Sequence, residues 1–409
     1  MVWPCWHARW QPVGVPRFEP FAAFRYAPSL PLDQVAAPPY DVLSDADVDA
    51  LLAHHPRNIV AIDVPRDTDG PGRYDAAAQR LAEWISEGTL VLDDQPTFTL
   101  YRMRFTGEAG TERETVGVLG ALEVVDEGAG GVLPHERTTP KAKTDRLDLT
   151  RSTNTNLSPV WGLSLTAGLT DLLREPAELV GSCVDEQGVV HTVERVSDSH
   201  RVAAISAAVS GSPVLIADGH HRYAISRTFR DEVRAQRGTH TGAELTLTYV
   251  AELVDDQLSI DAIHRLYHDV PAEDLLGILA TDFDQSEAGP VTFAFTADLV
   301  ARGALCLVRP DGTGVWLTPK SSAFDTVRDL DGAYLEHSLR DHDLDVSYQH
   351  GVQHVLERLA SGDAAAGVLI RPTGIAEIRR TAEERLLMPP KSTFFTPKLR
   401  TGLVLRPLG

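Results

Sequence analysis

The stretch "VLIADGHHRYAISRTFR", Val214 to Arg230, limits the fold more than any other part of the chain. The run "PVLIA", opened by Pro213, has the length and branched content of a buried strand. Tyr223, Ala224, Ile225 and Phe229 instead recur at roughly helical spacing. A strand must therefore end and a helix begin within a few residues, and Asp218, Gly219, His220, His221 and Arg222 occupy that turn. The first backbone N–H groups of a helix have no intrahelical acceptor and lie at the positive end of its dipole, and a glycine lets a ligand approach the backbone closely. An anion is the natural guest. Arg222 can grip a phosphate with two donors, His220 and His221 can donate further hydrogen bonds, and Asp218 can hold a histidine or a Mg²⁺ ion. The structural alternative makes Asp218 a helix cap, pairs Arg222 with a surface acid and leaves the histidines as polar filler. The concentration of these residues on one rigidly framed turn favours a site.

Such a turn calls for an α/β chain, here with mixed (α+β) sheets, and 409 residues call for two or three domains. A hydrophobic content of 43% is that of an ordinary globular protein. The net charge of −20 opposes adhesion to nucleic acid or anionic membrane, so neither is expected as a partner. Cys5, Cys183 and Cys306 are odd in number and widely spaced, which argues against a disulfide framework or a structural zinc site and fits a reducing cytoplasm. No apolar run is long enough for membrane insertion, and the N-terminal stretch lacks the pattern of an export signal.

Along the chain, strands are expected near "FAAFRYA", at "NIVAIDV" and at "TFTLYRMRF". Helices are expected after Ser44 and Asp45, with Val48, Leu51 and Leu52 on one side, and at "YDAAAQRLAEWISEG", closed by Gly88. In "AAPPYDVL", Tyr40 and Asp41 either line a pocket or form a turn. Further on come the strand "TVGVLGALEVV", a long loop, a short helix near Asp145 to Arg151, the strand "PVWGLSL", the hairpin "GSCVDEQGVVHTVERV" and the helix "SHRVAAISAAVS". After the turn come a hairpin reversing at Asp311 and Gly312, the helix "QHGVQHVLERLASG", the strand "AGVLIRPT" and a final helix. In "IHRL", His264 and Arg265 are open to a role in the site or to one as a buried structural pair.

Arginine supplies almost all the positive charge. Of 38 basic residues only five are lysine, and four of them, Lys141, Lys143, Lys391 and Lys398, fall in "PKAK" and "PKSTFFTPK". Lysine is a compact point charge where arginine is a rigid fork, so these two segments are candidates for anion binding. Just upstream of the first, "PHERTTPKAKTDR" sets His135 and Glu136 beside cations including Arg146, a setting in which Glu136 could act as a general base. The tail "KSTFFTPK" adds Ser392 and Thr393, hydroxyls suited to a small polar or phosphorylated substrate. The chain has no GxxxxGK[ST] loop, no GxGxxG turn, no HExxH helix and no GxSxG elbow.

The DGHHR turn resembles that of the ParB/sulfiredoxin superfamily, and within it the ADP-dependent free serine kinases, whose active-site loop also carries Pro-His-Glu, matched here by Pro134, His135 and Glu136. From "APPYDVL" through "PHE", "DGHHRY" and "IHRL" to "MPPKSTFFTPKL", the chain also resembles a large bacterial family of unassigned function built around the same turn. The resemblance implies a ParB/sulfiredoxin-like core elaborated by α/β regions on both sides: an N-terminal region over 1–110, the nucleotide-binding core over 111–255, and a C-terminal region over 256–409 that completes the substrate site. It implies that Glu136, with His135, activates a substrate hydroxyl. Asp218 would handle Mg²⁺, Gly219, His220, His221 and Arg222 the phosphates of ADP or ATP, and Lys391, Ser392, Thr393 and Lys398 the substrate. His220 stands where sulfiredoxins have cysteine, which argues against sulfinic acid reduction. The function so implied is a small-molecule kinase acting on serine or a related hydroxylated metabolite, with a homodimer allowed for. The alternative is a nucleotide-binding regulatory switch without kinase activity.

Overall fold

The computed structural model describes residues 14–66, 72–107, 112–136 and 144–409. They form two compact units. The larger gathers residues 14–134, 144–258 and 397–409; the smaller gathers 135–136 and 259–396. Both are mixed α/β.

The larger unit is built on a nine-stranded sheet. Its strands are β1 (Phe18–Glu19), β2 (Phe98–Thr106), β3 (Glu112–Glu123), β4 (Val132–Pro134), β5 (Val160–Ser164), β6 (Glu178–Val184), β7 (Val190–Val196), β8 (Val214–Asp218) and β9 (Leu245–Glu252). The order is β4-β8-β5-β9-β3-β2-β7-β6, with β1 beside β3. The pairs β4–β8 and β5–β9 are parallel and the others antiparallel. Strand β8 therefore lies inside the sheet, and its Val214, Leu215, Ile216 and Ala217 are all buried, as a near-continuous apolar run requires. Helices Leu169–Arg174 and Ser199–Val209 lay Leu169, Leu173, Ile205 and Val209 against Phe98, Leu100, Val116 and Val118 of the sheet. Each such side chain removed from water contributes on the order of 2 kcal/mol.

The helix expected after Ser44 is Asp45–His54, closed by a capping box in which Ser44 Oγ accepts from the Asp47 N–H and the Asp47 carboxylate accepts from the Ser44 N–H. The expected strand at "NIVAIDV" is instead a helical turn, Val60–Asp63. Its cause is Asn58, which is fully buried. It donates to the carbonyls of Gln34 and Ala36 and accepts from the Val60 N–H, starting the turn that buries both Ile59 and Ile62.

The smaller unit has a wholly antiparallel six-stranded sheet. Its strands are β11 (Ile263–Tyr267), β12 (Phe283–Pro290), β13 (Leu305–Val308), β14 (Thr313–Pro319), β15 (Val346–His350) and β16 (Ala366–Leu369), and β10 (Ser259–Asp261) lies in a separate two-stranded ribbon. They are ordered β12-β14-β13-β16-β11-β15. The period of two divides the core: Leu305 and Leu307 pack with helix Ala272–Leu279 on one face, while Cys306 and Val308 pack with helices Phe295–Arg302 and Val352–Ala360 on the other. Both faces are covered, so β13 (LCLV) and β16 (AGVL) read as unbroken apolar runs, while β11 buries His264 and Arg265 as well. Ribbon β10 pairs with β17 (Phe394–Thr396). Beyond it, residues 397–409 belong to the larger unit, where Leu399, Leu403, Val404, Leu405 and Leu408 are buried and fix the position of Lys398.

Candidate functional site

Strand β8 ends at Asp218, Gly219 turns the chain at φ 85°, and helix His220–Arg237 begins at once. The left-handed φ favours glycine, and a Cβ at that position would stand 2.9 Å from Arg222 Nε. The helix is held by its apolar face. Tyr223 is buried, its hydroxyl accepting from the Val125 N–H and donating to the Glu123 carbonyl, each at 2.9 Å. Ile225 and Phe229 pack with Leu147, Ala243 and Leu408. This anchoring fixes the turn, so the polar residues at the helix start are placed by the core beneath them.

Lys398 Nζ lies 3.2 Å from Asp218 Oδ2, Arg222 Nη2 lies 3.6 Å from the same oxygen, and the Gly219 N–H donates to Oδ1 at 2.7 Å. Burial acts to raise the pKa of this carboxyl, but Lys398, Arg222 and the Gly219 N–H outweigh it and hold Asp218 well below the usual carboxylate range. Arg222 also donates to the Pro159 carbonyl. Burial would lower its pKa, and Asp218, Asp41, Tyr40 and Asp63 together more than offset that, so it stays charged. His220 and His221 are half-buried in the first turn of the helix. Asp218 does not cap that helix: Gly219 is the cap residue and no side chain serves it.

A polar cleft in the same unit runs beside Arg222, lined by Asp63, Arg146, Asn156, Ser158 and Ser226. Arg146 Nη1 pairs with Asp63 at 3.2 Å, and its guanidinium stacks over the Tyr40 ring at 4.3 Å. Tyr40 and Asp41, which the sequence left between pocket and turn, lie in a 3₁₀ turn, Tyr40–Val42, and act electrostatically on Arg222. Asp63 escaped the sequence analysis because its segment reads as a strand. The signal that could have found it is the acid closing an otherwise apolar run.

The second group of predicted residues lies in the smaller unit. His135 is fully buried, its Nε2 2.7 Å from Thr393 Oγ1 and its ring edge-on to Phe395. Its carbonyl accepts from the Met388 N–H at 2.9 Å. The Glu136 carboxylate accepts from the Ser392 N–H at 3.2 Å. The Pro-His-Glu and Lys-Ser-Thr segments, more than 250 residues apart in sequence, are thus laid side by side. Ser392 Oγ donates to the Pro389 carbonyl and the Ser392 carbonyl accepts from Thr373 Oγ1, so both Ser392 and Thr393 are buried parts of the framework. Lys391 is exposed at φ 58°, and its carbonyl accepts from Arg265 Nη1 at 3.3 Å. His264 and Arg265 are both buried. Lys141 and Lys143 lie outside the described residues.

The predicted residues therefore form two groups: Asp218, Gly219, His220, His221, Arg222 and Lys398 in the larger unit, and His135, Glu136, Lys391, Ser392 and Thr393 in the smaller. A profile of the family described as "Protein of unknown function (DUF1015)" matches residues 18–333, most of the chain and the DGHHR turn with it. The chain belongs to the DUF1015 family. Among solved structures, this DUF1015 protein is similar to a conserved hypothetical protein from Pyrococcus furiosus, at 11% identity and a TM-score of 0.37, over 65% of this chain and 87% of that one. It is similar to a free serine kinase in complex with AMP, at 13% identity and 0.37, over 65% and 84%. It is also similar to SbnI with C-terminal truncation from Staphylococcus aureus, at 13% and 0.38, over 69% and 84%. No curated protein matched. No helix among the described residues is long and apolar enough to cross a membrane.

Proposed function

We propose that this DUF1015 protein binds a nucleoside di- or triphosphate at the Asp218–Arg222 turn and transfers its terminal phosphate to the hydroxyl of a small metabolite such as free serine. The observation that carries the reading is the pair of cations, Arg222 and Lys398, held on Asp218 at the start of an 18-residue helix whose N-terminus has no side-chain cap. Phosphate oxygens would take N–H groups of that first turn and draw on both cations, with His220 and His221 as further donors. Phosphoryl transfer asks the protein mainly for positioning and charge neutralisation, and this inventory supplies both.

Among the described residues no cluster of three or more His, Cys, Asp or Glu side chains is arranged to hold a metal. Mg²⁺ needs less: it binds through one or two carboxylates together with substrate phosphates and water, and Asp218, kept ionised by its neighbours, fits that part. When bound, the ion would neutralise phosphate charge. In the transfer itself the substrate hydroxyl oxygen bonds to the terminal phosphorus, the bond from that phosphorus to the bridging oxygen breaks, and the shortened nucleotide leaves. The hydroxyl proton passes to Glu136, whose carboxylate is oriented by the Ser392 N–H.

The test is a phosphoryl-transfer assay with the full chain, Mg²⁺, ADP or ATP and a panel of hydroxylated amino acids led by L-serine, read by mass spectrometry. A phosphorylated product is expected, with Glu136→Gln losing turnover while retaining nucleotide binding. If nucleotide binds but no acceptor is phosphorylated, the turn is a regulatory sensor and the kinase reading falls.

A further inference from the structure

The polar cleft beside Arg222 in the larger unit is lined by hydrogen-bonding groups that phosphate binding at the turn leaves unused. Asp63 closes the helical turn Val60–Asp63 and is only 2% exposed. Its Oδ1 accepts from Arg146 Nη1 at 3.2 Å, and no described residue donates to its Oδ2. Arg146 directs Nε at Asp145 and Nη1 at Asp63, while its Nη2 meets no acceptor among the described residues. Asn156 is fixed through Oδ1, which accepts from the Leu247 N–H at 3.0 Å and from Arg406 Nη1 at 3.4 Å. Its amide NH₂ donates to no described residue. Ser158 Oγ makes no hydrogen bond among the described residues either.

Other hydroxyls around the cleft are committed to the framework: Thr150 Oγ1 donates to the Arg146 carbonyl, Thr155 Oγ1 to the Thr153 carbonyl and Ser226 Oγ to the Arg222 carbonyl. What the cleft still offers is one carboxylate oxygen, N–H donors on Asn156 and Arg146, and the Ser158 hydroxyl, which can play either part. A ligand carboxylate would be repelled by Asp63 and an ammonium by the two arginines, so neither charged head suits. A neutral hydroxyl suits, because it donates to the carboxylate and accepts from an N–H at once. A buried carboxylate oxygen without a donor is costly, and a ligand hydroxyl offsets that cost. The cleft encloses about 40 Å³, room for a few water-sized groups and not for a nucleobase. Arg222 lines the same cleft and stands 3.6 Å from Asp218, so hydroxyls held here lie next to the proposed phosphate position. Hydroxyls beside a phosphate belong to a sugar.

We infer that this cleft receives the ribose edge of the nucleotide, its 2′- and 3′-hydroxyls held by the Asp63 carboxylate, Asn156, Ser158 and Arg146, so that ribonucleotides are selected over deoxyribonucleotides. This rests on nucleotide binding at the Asp218–Arg222 turn and adds Asp63 to it as the residue that determines sugar specificity. Asp63 is placed for that part by the turn that Asn58 starts, and Asn156 by its pairing with Arg406 of the C-terminal segment.

Calorimetric titration of the full chain with Mg²⁺ and ADP or ATP, each beside its 2′,3′-dideoxy form, tests it. The ribonucleotide should bind at least about tenfold more tightly than the dideoxy form, as expected for hydroxyls bonded to a charged group. Asp63→Asn keeps an acceptor for Arg146 and puts an NH₂ where the open carboxylate oxygen stands. It should reduce that ratio to about threefold or less, with the affinity for the dideoxy form changed by less than about threefold. Ser158→Ala, which removes no hydrogen bond between described residues, should lower the ratio about threefold and keeps the test open should Asp63→Asn fail to fold. Equal binding of the two forms by the wild type, or a ratio unchanged in the folded variants, would overturn the ribose assignment and leave phosphate binding standing. Binding of neither form would refute the phosphate site itself, and the ribose assignment with it.

Discussion

His264 makes a sharp prediction about acid stability. It sits on strand β11 with 2% exposure, and its Nδ1 accepts the Ile370 N–H at 3.2 Å, so a proton on Nδ1 would set two donors against each other. Burial, then the charges of Arg265 and His350, push its pKa down to about 3. In the unfolded chain the same imidazole titrates near about 6.5. The folded pKa is depressed, so stability is intact above the unfolded value and falls as the pH drops from about 6.5 toward 3, because only the unfolded chain takes up the proton. Each pH unit in that window costs about 1.4 kcal/mol, which amounts to about 2 kcal/mol by pH 5. His264→Asn keeps an acceptor for the Ile370 N–H and removes the titration. Urea unfolding of the smaller unit should be followed for both chains at a series of pH values. The difference in free energy should be constant above neutrality and shift by about 2 kcal/mol in favour of the variant near pH 5. Parallel curves across that range would refute the buried, neutral assignment.

Gly219→Ala forces an L-residue into the left-handed region and sets its Cβ against the Arg222 guanidinium. It should cost about 1–2 kcal/mol by thermal unfolding and weaken nucleotide binding at least tenfold by calorimetry. Asn58→Ala removes three hydrogen bonds of a fully buried side chain and should destabilise the larger unit by about 3 kcal/mol in denaturant titrations.

What the sequence showed and what it concealed divide along the range of the interactions. The strand, turn and helix at Val214 to Arg230, the Ser44 cap and the hairpin at Asp311 and Gly312 are set by neighbours a few residues apart, and all are found as expected. "NIVAIDV" was misread because a short apolar run fits either periodicity, and the deciding contacts run from Asn58 to Gln34 and Ala36. Strand β12 went unrecognised because "FDQSEAGP" is a polar edge strand with mostly exposed side chains. In the site, the scarcity of lysine pointed to Lys398, but its partner Asp218 stands 180 positions away. No local pattern carries that pairing, nor the meeting of Asp331 with Arg371 in the smaller unit.

The central claim is that the Asp218–Arg222 turn holds nucleotide phosphate. Isothermal titration calorimetry of ADP and of ATP, each with Mg²⁺, into the full chain and into Arg222→Ala and Lys398→Ala tests it most directly. The account predicts binding of at least one nucleotide, weakened tenfold or more by each substitution, as expected for the loss of a charge-assisted phosphate contact. No binding of either nucleotide, or variants that bind as the wild type does, would contradict it.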